Sequence, residues 1–292
     1  MSSTATTIPL VKESDVTDDG IREAYREIKN WLRVPAINAL FQTYAATPHF
    51  LEVAWRRLRP SVLTPAFNEQ AAHVGLLAER HVAGWQIGDH AMQLRGRAVA
   101  AADLQRMRTI ADLFHVVNPK LLIIAHAIGI ALGGRTIAGT GAGPSHVHHY
   151  ASEVKEFRAV ALTLSEERDA PPRVRAILEE VKAALGSGVV SSEYRALASY
   201  HDWLEVWWKD CKALLREADY QVARRGIGDA GERAAEELPH QFALGADLLE
   251  RNDIDESGRA QLRERNAVFI ELLPALILNM EIARRGLGAP AE

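Results

Sequence analysis

The sequence has one cysteine in 292 residues, so Cys211 has no partner within the chain for a disulfide bond. A chain without disulfides is typical of a reducing compartment. The net charge at pH 7 is −4 and the isoelectric point is near 6.3. A nucleic-acid-binding domain usually carries a basic excess, and this chain has none. We therefore predict no nucleic-acid partner.

The sequence also lacks the patterns of a signal peptide and of a membrane span. The first ten residues, MSSTATTIPL, contain no cationic segment and no long apolar run, so we expect no signal peptide. The most apolar segment, Leu121–Leu132, contains His126 and is shorter than the roughly 20 residues of a bilayer-crossing helix. The sequence therefore predicts a cytoplasmic protein without a membrane partner.

Alternating apolar and polar residues between turn signals, which are typical of β-strands, are missing along the whole sequence. Apolar residues instead recur at helical spacing, as at Ile21, Tyr25, Ile28 and Leu32. The sequence therefore predicts an all-α fold.

An internal repeat is the most informative feature that is present. FLEVAW at 50–55 is matched by WLEVWW at 203–208, an offset of 203 − 50 = 153 residues. Later matches, such as Pro119 with Pro274, have an offset of 155. Segments that match at a fixed offset indicate a repeated structural unit. We predict an internal duplication that forms a pseudo-two-fold helical pseudo-dimer, with a pocket where the copies meet.

The repeat divides the chain into four predicted parts. They are a loose N-terminal segment at 1–17, a helical repeat at 18–134, a connecting segment at 135–170 and a second helical repeat at 171–292. The region around the start of the connection is rich in glycine and has no periodicity. Each repeat alone would leave an apolar helix face uncovered, so we expect the two to form one compact unit.

Three motifs have structural interpretations that are favoured over chemical ones. GIGDAG at 226–231 fits GxGxxG, but it follows a helical segment rather than a strand, so a helix-breaking turn is favoured over a nucleotide site. His146, His148 and His149 lack the partner ligands of a metal site, so solvated loop histidines are favoured. Cys211 has no adjacent Lys or His with obvious access, and we interpret it as structural.

Two polar residues interrupt the repeat, one in each half. Asn118 precedes a proline where its counterpart is Leu273, and Glu193 stands near a helix start where its counterpart is Leu40. This pair predicts a single asymmetric site in which Glu193 is a general base facing Asn118. The alternatives are a helix cap by Asn118 and, for Glu193, a capping box or a carboxylate favoured by the helix dipole.

These features resemble the group I 2-haloacid dehalogenases, the family that acts on both D- and L-substrates. The likeness covers nearly the whole chain and rests on the duplication and on five segments: VPAINALF at 34–41, FLEVAW at 50–55, VNP at 117–119, SSEYRALA at 191–198 and WLEVWW at 203–208. The resemblance implies an all-α pseudo-dimer that is usually a homodimer. It also implies that a carboxylate activates water for direct, inverting displacement of halide, without a covalent ester, a metal or a cofactor.

The resemblance further implies roles for individual residues. Glu193 falls where the family has its catalytic aspartate, Asn118 matches the water-orienting asparagine, and Ser192 is expected to help bind the substrate carboxylate. The implied substrate-binding wall consists of five apolar residues: Ile37, Leu40, Leu121, Phe269 and Leu273. Large aromatic residues would be expected at the first two positions and tyrosines at the next two.

The sequence thus predicts a cofactor-independent hydrolase of carbon–halide bonds, whose partner is a small halogenated or related carboxylic acid. Two alternatives stay open. In one, the protein is a non-catalytic helical protein that binds a small apolar carboxylic acid. In the other, it is a purely structural dimer.

Overall fold

The computed structural model describes residues 8–141, 160, 162–188 and 190–288, and within them the chain is helical. A short 3-10 helix, Glu13–Asp15, opens the first half, which continues with α1 (Asp19–Leu32), α2 (Ala39–Ala45), α3 (Phe50–Val62), α4 (Pro65–Ala83), α5 (His90–Gly96) and α6 (Ala101–Leu132). A second, Glu167–Asp169, opens the other half, which continues with α7 (Pro172–Leu185), α8 (Ser192–Ala198), α9 (His201–Leu214), α10 (Ala218–Glu236), α11 (Ala246–Glu250) and α12 (Glu256–Gly286). The predicted all-α fold is confirmed.

Several helices of the first half begin at a side chain that accepts a hydrogen bond from the first turn. Asp18 accepts from a backbone N–H of α1, Asn38 from one of α2 and Thr64 from one of α4. Pro65 follows Thr64 at the first helical position, where a missing N–H does no harm. These caps satisfy donors that a helix start would otherwise leave unpaired, so they fix where each helix begins.

The core is built around α6 and α12, which pack against each other more extensively than any other pair of described helices. Each helix runs on through an internal proline, Pro119 in α6 and Pro274 in α12. The alternative in which Asn118 caps a helix is therefore wrong, because α6 continues on both sides of it. Both helices are long and apolar enough to cross a bilayer, but 78% of the most apolar stretch of each is buried within the protein, as in core helices.

The GIGDAG segment lies inside α10, so the predicted helix-breaking turn is wrong. A β-carbon on Gly231 would stand 2.6 Å from the side chain of Leu122 on α6. The glycine thus allows α10 and α6 to approach closely, and this packing explains its place in a helix.

The two halves repeat one another in helix order and nearly in length. Helices α1 to α4 have 14, 7, 13 and 19 residues, and α7 to α10 have 14, 7, 14 and 19. A tryptophan, a glutamate and a basic residue also recur at the 153-residue offset, and we call each set a tryptophan triad: Glu27, Trp55 and Arg59, then Glu180, Trp208 and Lys212. The indole Nε1 donates to the carboxylate at 2.7 Å in the first triad and at 2.8 Å in the second.

These recurring features are what the predicted duplication requires. The pseudo-two-fold relation between the halves and the four-part division of the chain stay predictions. The connecting segment is described only in part, and His146, His148 and His149 lie outside the described residues. Its far end runs beside α8, where Ser165 and Arg195 exchange two hydrogen bonds.

Candidate active site

The structure brings Glu193 and Asn118 together in the core. Glu193 is the second residue of α8 and Asn118 lies in the middle of α6, and their side chains are 4% and 1% exposed. Burial raises the pKa of Glu193, while three nearby donors oppose that rise: its own backbone N–H, the Ser191 hydroxyl and the Asn118 side chain. The result is a buried carboxyl group with a raised pKa and polar neighbours.

Two of those donors have hydrogen-bonding capacity to spare. Asn118 Nδ2 and Ser191 Oγ are both buried. Within the described part of the chain, neither atom lies at the distance and angle of a regular hydrogen bond to any partner. An amide offers two N–H donors and a carbonyl acceptor, and a hydroxyl offers one donor and an acceptor. Such groups beside a carboxylate can orient a water molecule or a polar atom of a substrate.

The serine beside the Glu193 carboxylate is Ser191, whereas the sequence pointed to Ser192. Ser192 is the first residue of α8 and is half-buried, and its predicted contact with a substrate carboxylate stays a prediction. Ser191 precedes α8 without capping it, unlike its counterpart Asn38 in α2. A capping box needs the carboxylate at the third helical position, and Glu193 is at the second, so the capping-box alternative is wrong. Glu193 does lie in the first turn of α8, so the alternative of a carboxylate favoured by the helix dipole stays open.

Three predicted wall residues come from helices that one buried asparagine ties together. Tyr44 Oη of α2 donates to Asn266 Oδ1 of α12 at 2.5 Å, and Asn266 Nδ2 donates to the Ala125 carbonyl of α6 at 2.9 Å. Residues three or four positions apart share a helix face. The three wall residues lie one turn from these contacts, one on each helix: Leu40, Phe269 and Leu121.

The other two predicted wall residues are buried at the edges of this arrangement. Ile37, in the segment between α1 and α2, is 3% exposed, and its N–H donates to Glu13 at 3.0 Å. Leu273, which precedes Pro274 in α12, is 2% exposed. Their contact with a substrate stays a prediction.

A second buried asparagine, Asn279, holds α8 in place and was not recognised from the sequence. Its Nδ2 donates to Tyr194 Oη at 2.8 Å, and its Oδ1 accepts from Tyr220 Oη at 2.8 Å and from Cys211 Sγ at 3.3 Å. Burial raises the pKa of the Cys211 thiol well above its usual range, which suits a structural cysteine. This hydrogen-bond network holds the side chain of Tyr194, the residue after Glu193, in place. The available signal was an asparagine directly after the apolar run LLPALIL at 272–278.

One described group of side chains, Glu79, His115 and Glu281, has the composition and proximity of a metal site. The two ring nitrogens of His115 lie 3.0 Å from Glu79 and 3.1 Å from Glu281. Arg284 Nη1 contacts the same carboxylates at 3.0 and 2.6 Å. Burial lowers the pKa of His115, whereas hydrogen bonds to the two carboxylates raise it, and the net shift is upward. We therefore interpret this buried ion cluster as internal ion pairs.

The fold and site define an all-α protein with a buried carboxyl and amide pair at its centre. Residues 35–194, which are 160 of the 292 and include Asn118 and Glu193, match the family described as halocarboxylic acid dehydrogenase DehI. The chain belongs to this family.

Curated relatives cover most of the chain. An (R)-2-haloacid dehalogenase from Pseudomonas putida is 26% identical over 265 residues, which are 90% of this chain and 87% of the relative. A second (R)-2-haloacid dehalogenase, from Rhizobium sp. (strain NHG3), is 21% identical over 79% of this chain and 88% of the relative. A solved structure of a D-2-haloacid dehalogenase mutant with D-2-CPA has a TM-score of 0.89 at 25% identity and covers 98% of this chain and 97% of that one.

The expected membership of the group that acts on both D- and L-substrates is wrong. The chain matches DehI, and the relatives above are named for the (R)- or D-configuration. Two of the five segments that carried the resemblance, FLEVAW and WLEVWW, lie in α3 and α9 and contain no predicted site residue.

Proposed function

We propose that the protein is a 2-haloacid dehalogenase that hydrolyses (R)-2-halo acids by direct attack of water. The observation that carries this proposal is the buried Glu193, whose raised pKa and Asn118 neighbour suit a general base, in a chain of the DehI family. The names of the relatives support the carbon–halide bond as the target and the (R)-configuration as the preferred one.

In the proposed reaction, Glu193 removes a proton from a water molecule that Asn118 orients. The water oxygen forms a bond to C2 while the carbon–halogen bond breaks, and the halide leaves with the bonding electron pair. The attack is opposite to the leaving group, so C2 is inverted and a 2-hydroxy acid forms. A base whose pKa is raised towards the working pH accepts the proton more readily than an ordinary carboxylate does. The proposal uses no metal or cofactor.

The apolar residues around the carboxyl group have two functions in this proposal. Leu40, Leu121 and Phe269 are at most 6% exposed, so they keep bulk water away and contact the alkyl part of a small substrate. Exclusion of water also strengthens the electrostatic interactions within the site.

A single turnover in heavy-oxygen water tests the chemistry. With (R)-2-chloropropanoate, enzyme in excess and one turnover, the label is expected in the 2-hydroxy acid and not in the protein. Label in a peptide that contains Glu193 would instead demonstrate a glutamyl ester and a covalent route. The (S)-enantiomer is the matched control and is expected to release halide more slowly.

A glutamate at the position where the resemblance implies an aspartate supports a second candidate, a non-catalytic protein of this fold that binds a small apolar carboxylic acid. No halide release from any member of a panel of 2-halo acids, together with binding of propanoate, would favour this candidate.

We further propose a cytoplasmic homodimer, for which sedimentation of the purified protein measures the oligomeric state.

A further inference from the structure

Asn279 of α12 is the centre of a buried hydrogen-bond network that joins four helices. Its amide nitrogen donates to Tyr194 Oη of α8 at 2.8 Å, and its amide oxygen accepts from Tyr220 Oη of α10 and from Cys211 Sγ of α9. All four residues are at most 1% exposed. Both lone pairs of the amide oxygen are therefore used, and the amide orientation is fixed. We call these four residues the Asn279 network.

The network occurs in one half of the molecule only. Each of its four members has an apolar counterpart at the repeat offsets, and these counterparts are also at most 1% exposed: Phe41, Leu58, Phe67 and Ile124. Apolar side chains thus suffice to fill the matching places in the first half, so filling the core does not explain the polar groups. A buried polar network adds direction instead, because its members are satisfied in a specific arrangement.

Tyr194 links the Asn279 network to the candidate active site. It directly follows Glu193 in α8, a helix of only seven residues. Burial raises the pKa of the Tyr194 phenol, and the neighbouring Cys211 and Glu193 add to that rise. The Tyr194 hydroxyl and the Glu193 carboxylate are therefore close enough to interact.

The start of α8 lacks the contact that fixes the matching helix of the first half. Asn38 accepts a hydrogen bond from the first turn of α2, whereas Ser191 makes no such cap at α8. A cap holds the start of a helix in place. At α8, the hydrogen bond from Asn279 acts on Tyr194, one residue after Glu193. The contacts of α8 with the end of the connecting segment lie nearer its other end.

We propose that the hydrogen bond from Asn279 to Tyr194 positions the general base, because it fixes the first turn of α8 and thereby holds the Glu193 carboxylate beside Asn118. Asn279 and Tyr194 are positioning residues, since they act through Glu193 and not on the substrate. The role of Glu193 as a base rests on the proposed function, whereas the placement of its carboxyl group is measurable without turnover.

The test compares two matched substitutions of a buried tyrosine by phenylalanine. Tyr194→Phe removes only the hydroxyl that Asn279 holds, and phenylalanine is the residue at the matching position of the other half. Tyr25→Phe is the control, because Tyr25 in α1 is 3% exposed and loses a hydrogen bond of the same 2.8 Å length, to a backbone carbonyl. Thermal unfolding of both variants is measured in parallel, and similar small decreases in Tm are expected.

Steady-state kinetics give the first readout. Tyr194→Phe is expected to lower kcat for (R)-2-chloropropanoate by about tenfold or more, because a displacement of roughly 1 Å can cost about a hundredfold. KM is expected to stay within about threefold, since no substrate contact is removed. Tyr25→Phe is expected to leave both constants within about twofold of the wild type.

The titration of the Glu193 carboxyl group gives a second readout, which does not depend on turnover. Difference infrared spectroscopy of each protein against the same protein with Glu193→Gln isolates the carboxyl band. The donors of Asn118 and Ser191 stabilise the charged form, so a carboxylate that moves away from them has a higher pKa. Tyr194→Phe is therefore expected to shift this titration to higher pH, and Tyr25→Phe to leave it unchanged.

Each remaining outcome has a definite meaning. Equal losses of kcat in Tyr194→Phe and Tyr25→Phe overturn the positioning role, and so does a fall in kcat without an upward shift of the Glu193 titration. Unchanged kcat and titration in Tyr194→Phe also overturn it, and the Asn279 network is then only structural. If the titration shifts as expected but the wild type releases no halide, the positioning role stands and the dehalogenase proposal fails.

Discussion

The two halves of the molecule share their outer contacts and differ in their interior. The tryptophan triads recur with nearly equal hydrogen-bond lengths in α3 and α9. The interior positions that carry Glu193 and Asn118 carry Leu40 and Leu273 in the opposite half. The contacts of the two tryptophan triads are thus alike, whereas the two polar residues of the candidate site each occur in one half only. The site is therefore built from the places where the repeat is broken.

A second pair of regions shows the same division. His115 of the first half and Arg284 of the second join two glutamates in the buried ion cluster. At the matching offset of 155 residues stand Ile270 of the second half and Gly129 of the first, and a groove of about 390 Å³ lies there instead, lined by Ile270, His126 and charged residues of α10. The region of the buried ion cluster is filled by ion pairs, and the matched region beside Ile270 is an open groove. The surroundings of α6 are therefore unequal in the two halves.

The largest expected effect comes from removing the carboxylate that the halves do not share. Glu193→Gln cannot accept the water's proton, so turnover of the best (R)-2-halo acid is expected to fall by about 10²–10⁴-fold. Halide release under saturating substrate measures it, and circular dichroism checks the fold. Glu193→Asp is the graded control. It withdraws the carboxylate by roughly 1 Å, and a loss of about ten- to a hundredfold is expected. A higher rate for Glu193→Asp than for the wild type would mean that the site is not adapted to glutamate.

The next effect comes from copying that carboxylate into the other half. Leu40 is 1% exposed. Leu40→Glu would bury a charge without the donors that surround Glu193, so we expect the free energy of unfolding to fall by about 4 kcal/mol or more. Leu40→Met keeps an apolar side chain of similar volume and is expected to lose less than about 1.5 kcal/mol. Urea denaturation compares the two. Equal losses would show that this position tolerates a carboxylate and that the asymmetry has no energetic basis.

These comparisons also show what the sequence could and could not predict. The helices and the pairing of Glu193 with Asn118 follow from apolar spacing and from two polar interruptions, whereas the internal duplication stays a prediction. The course of α6 through Pro119 and of α10 through its glycines did not follow, because tertiary packing overrides local helix-breaking signals. The partners of Asn266 and Asn279 were also out of reach, since each bonds to residues on helices distant in the sequence.

The pH dependence of stability sharpens the contrast between a buried and an exposed carboxyl group. The pKa of Glu193 is raised in the folded state, so the folded chain keeps this proton at a pH where the unfolded chain has lost it. Its contribution to stability is full below the unfolded pKa and is lost as pH rises through the folded pKa. Glu193→Gln does not titrate, so its stability relative to the wild type is expected to rise with pH over that window.

Urea denaturation at several pH values above 4 measures this difference, at about 1.4 kcal/mol for each unit by which the pKa is raised. Glu232→Gln replaces an exposed glutamate of α10 and is expected to stay within about 0.5 kcal/mol of the wild type throughout. Turnover should rise with pH through the same window, because the base must be deprotonated. A variant that loses stability relative to the wild type as pH rises would contradict a raised pKa.

The smallest expected difference is between the two tryptophan triads, where the halves are alike. Trp55 and Trp208 are 4% and 5% exposed, and each donates one indole hydrogen bond to a glutamate. Trp55→Phe and Trp208→Phe each remove that bond and some packing, so each is expected to lower the free energy of unfolding by about 1–3 kcal/mol. The losses should agree within about 0.5 kcal/mol, and the double variant should lose their sum, because distant and independent sites add. Urea denaturation of the three variants measures this. Losses that differ by more than about 1.5 kcal/mol would show that repeated contacts are not energetically repeated, and the halves would then be equivalent in sequence pattern alone.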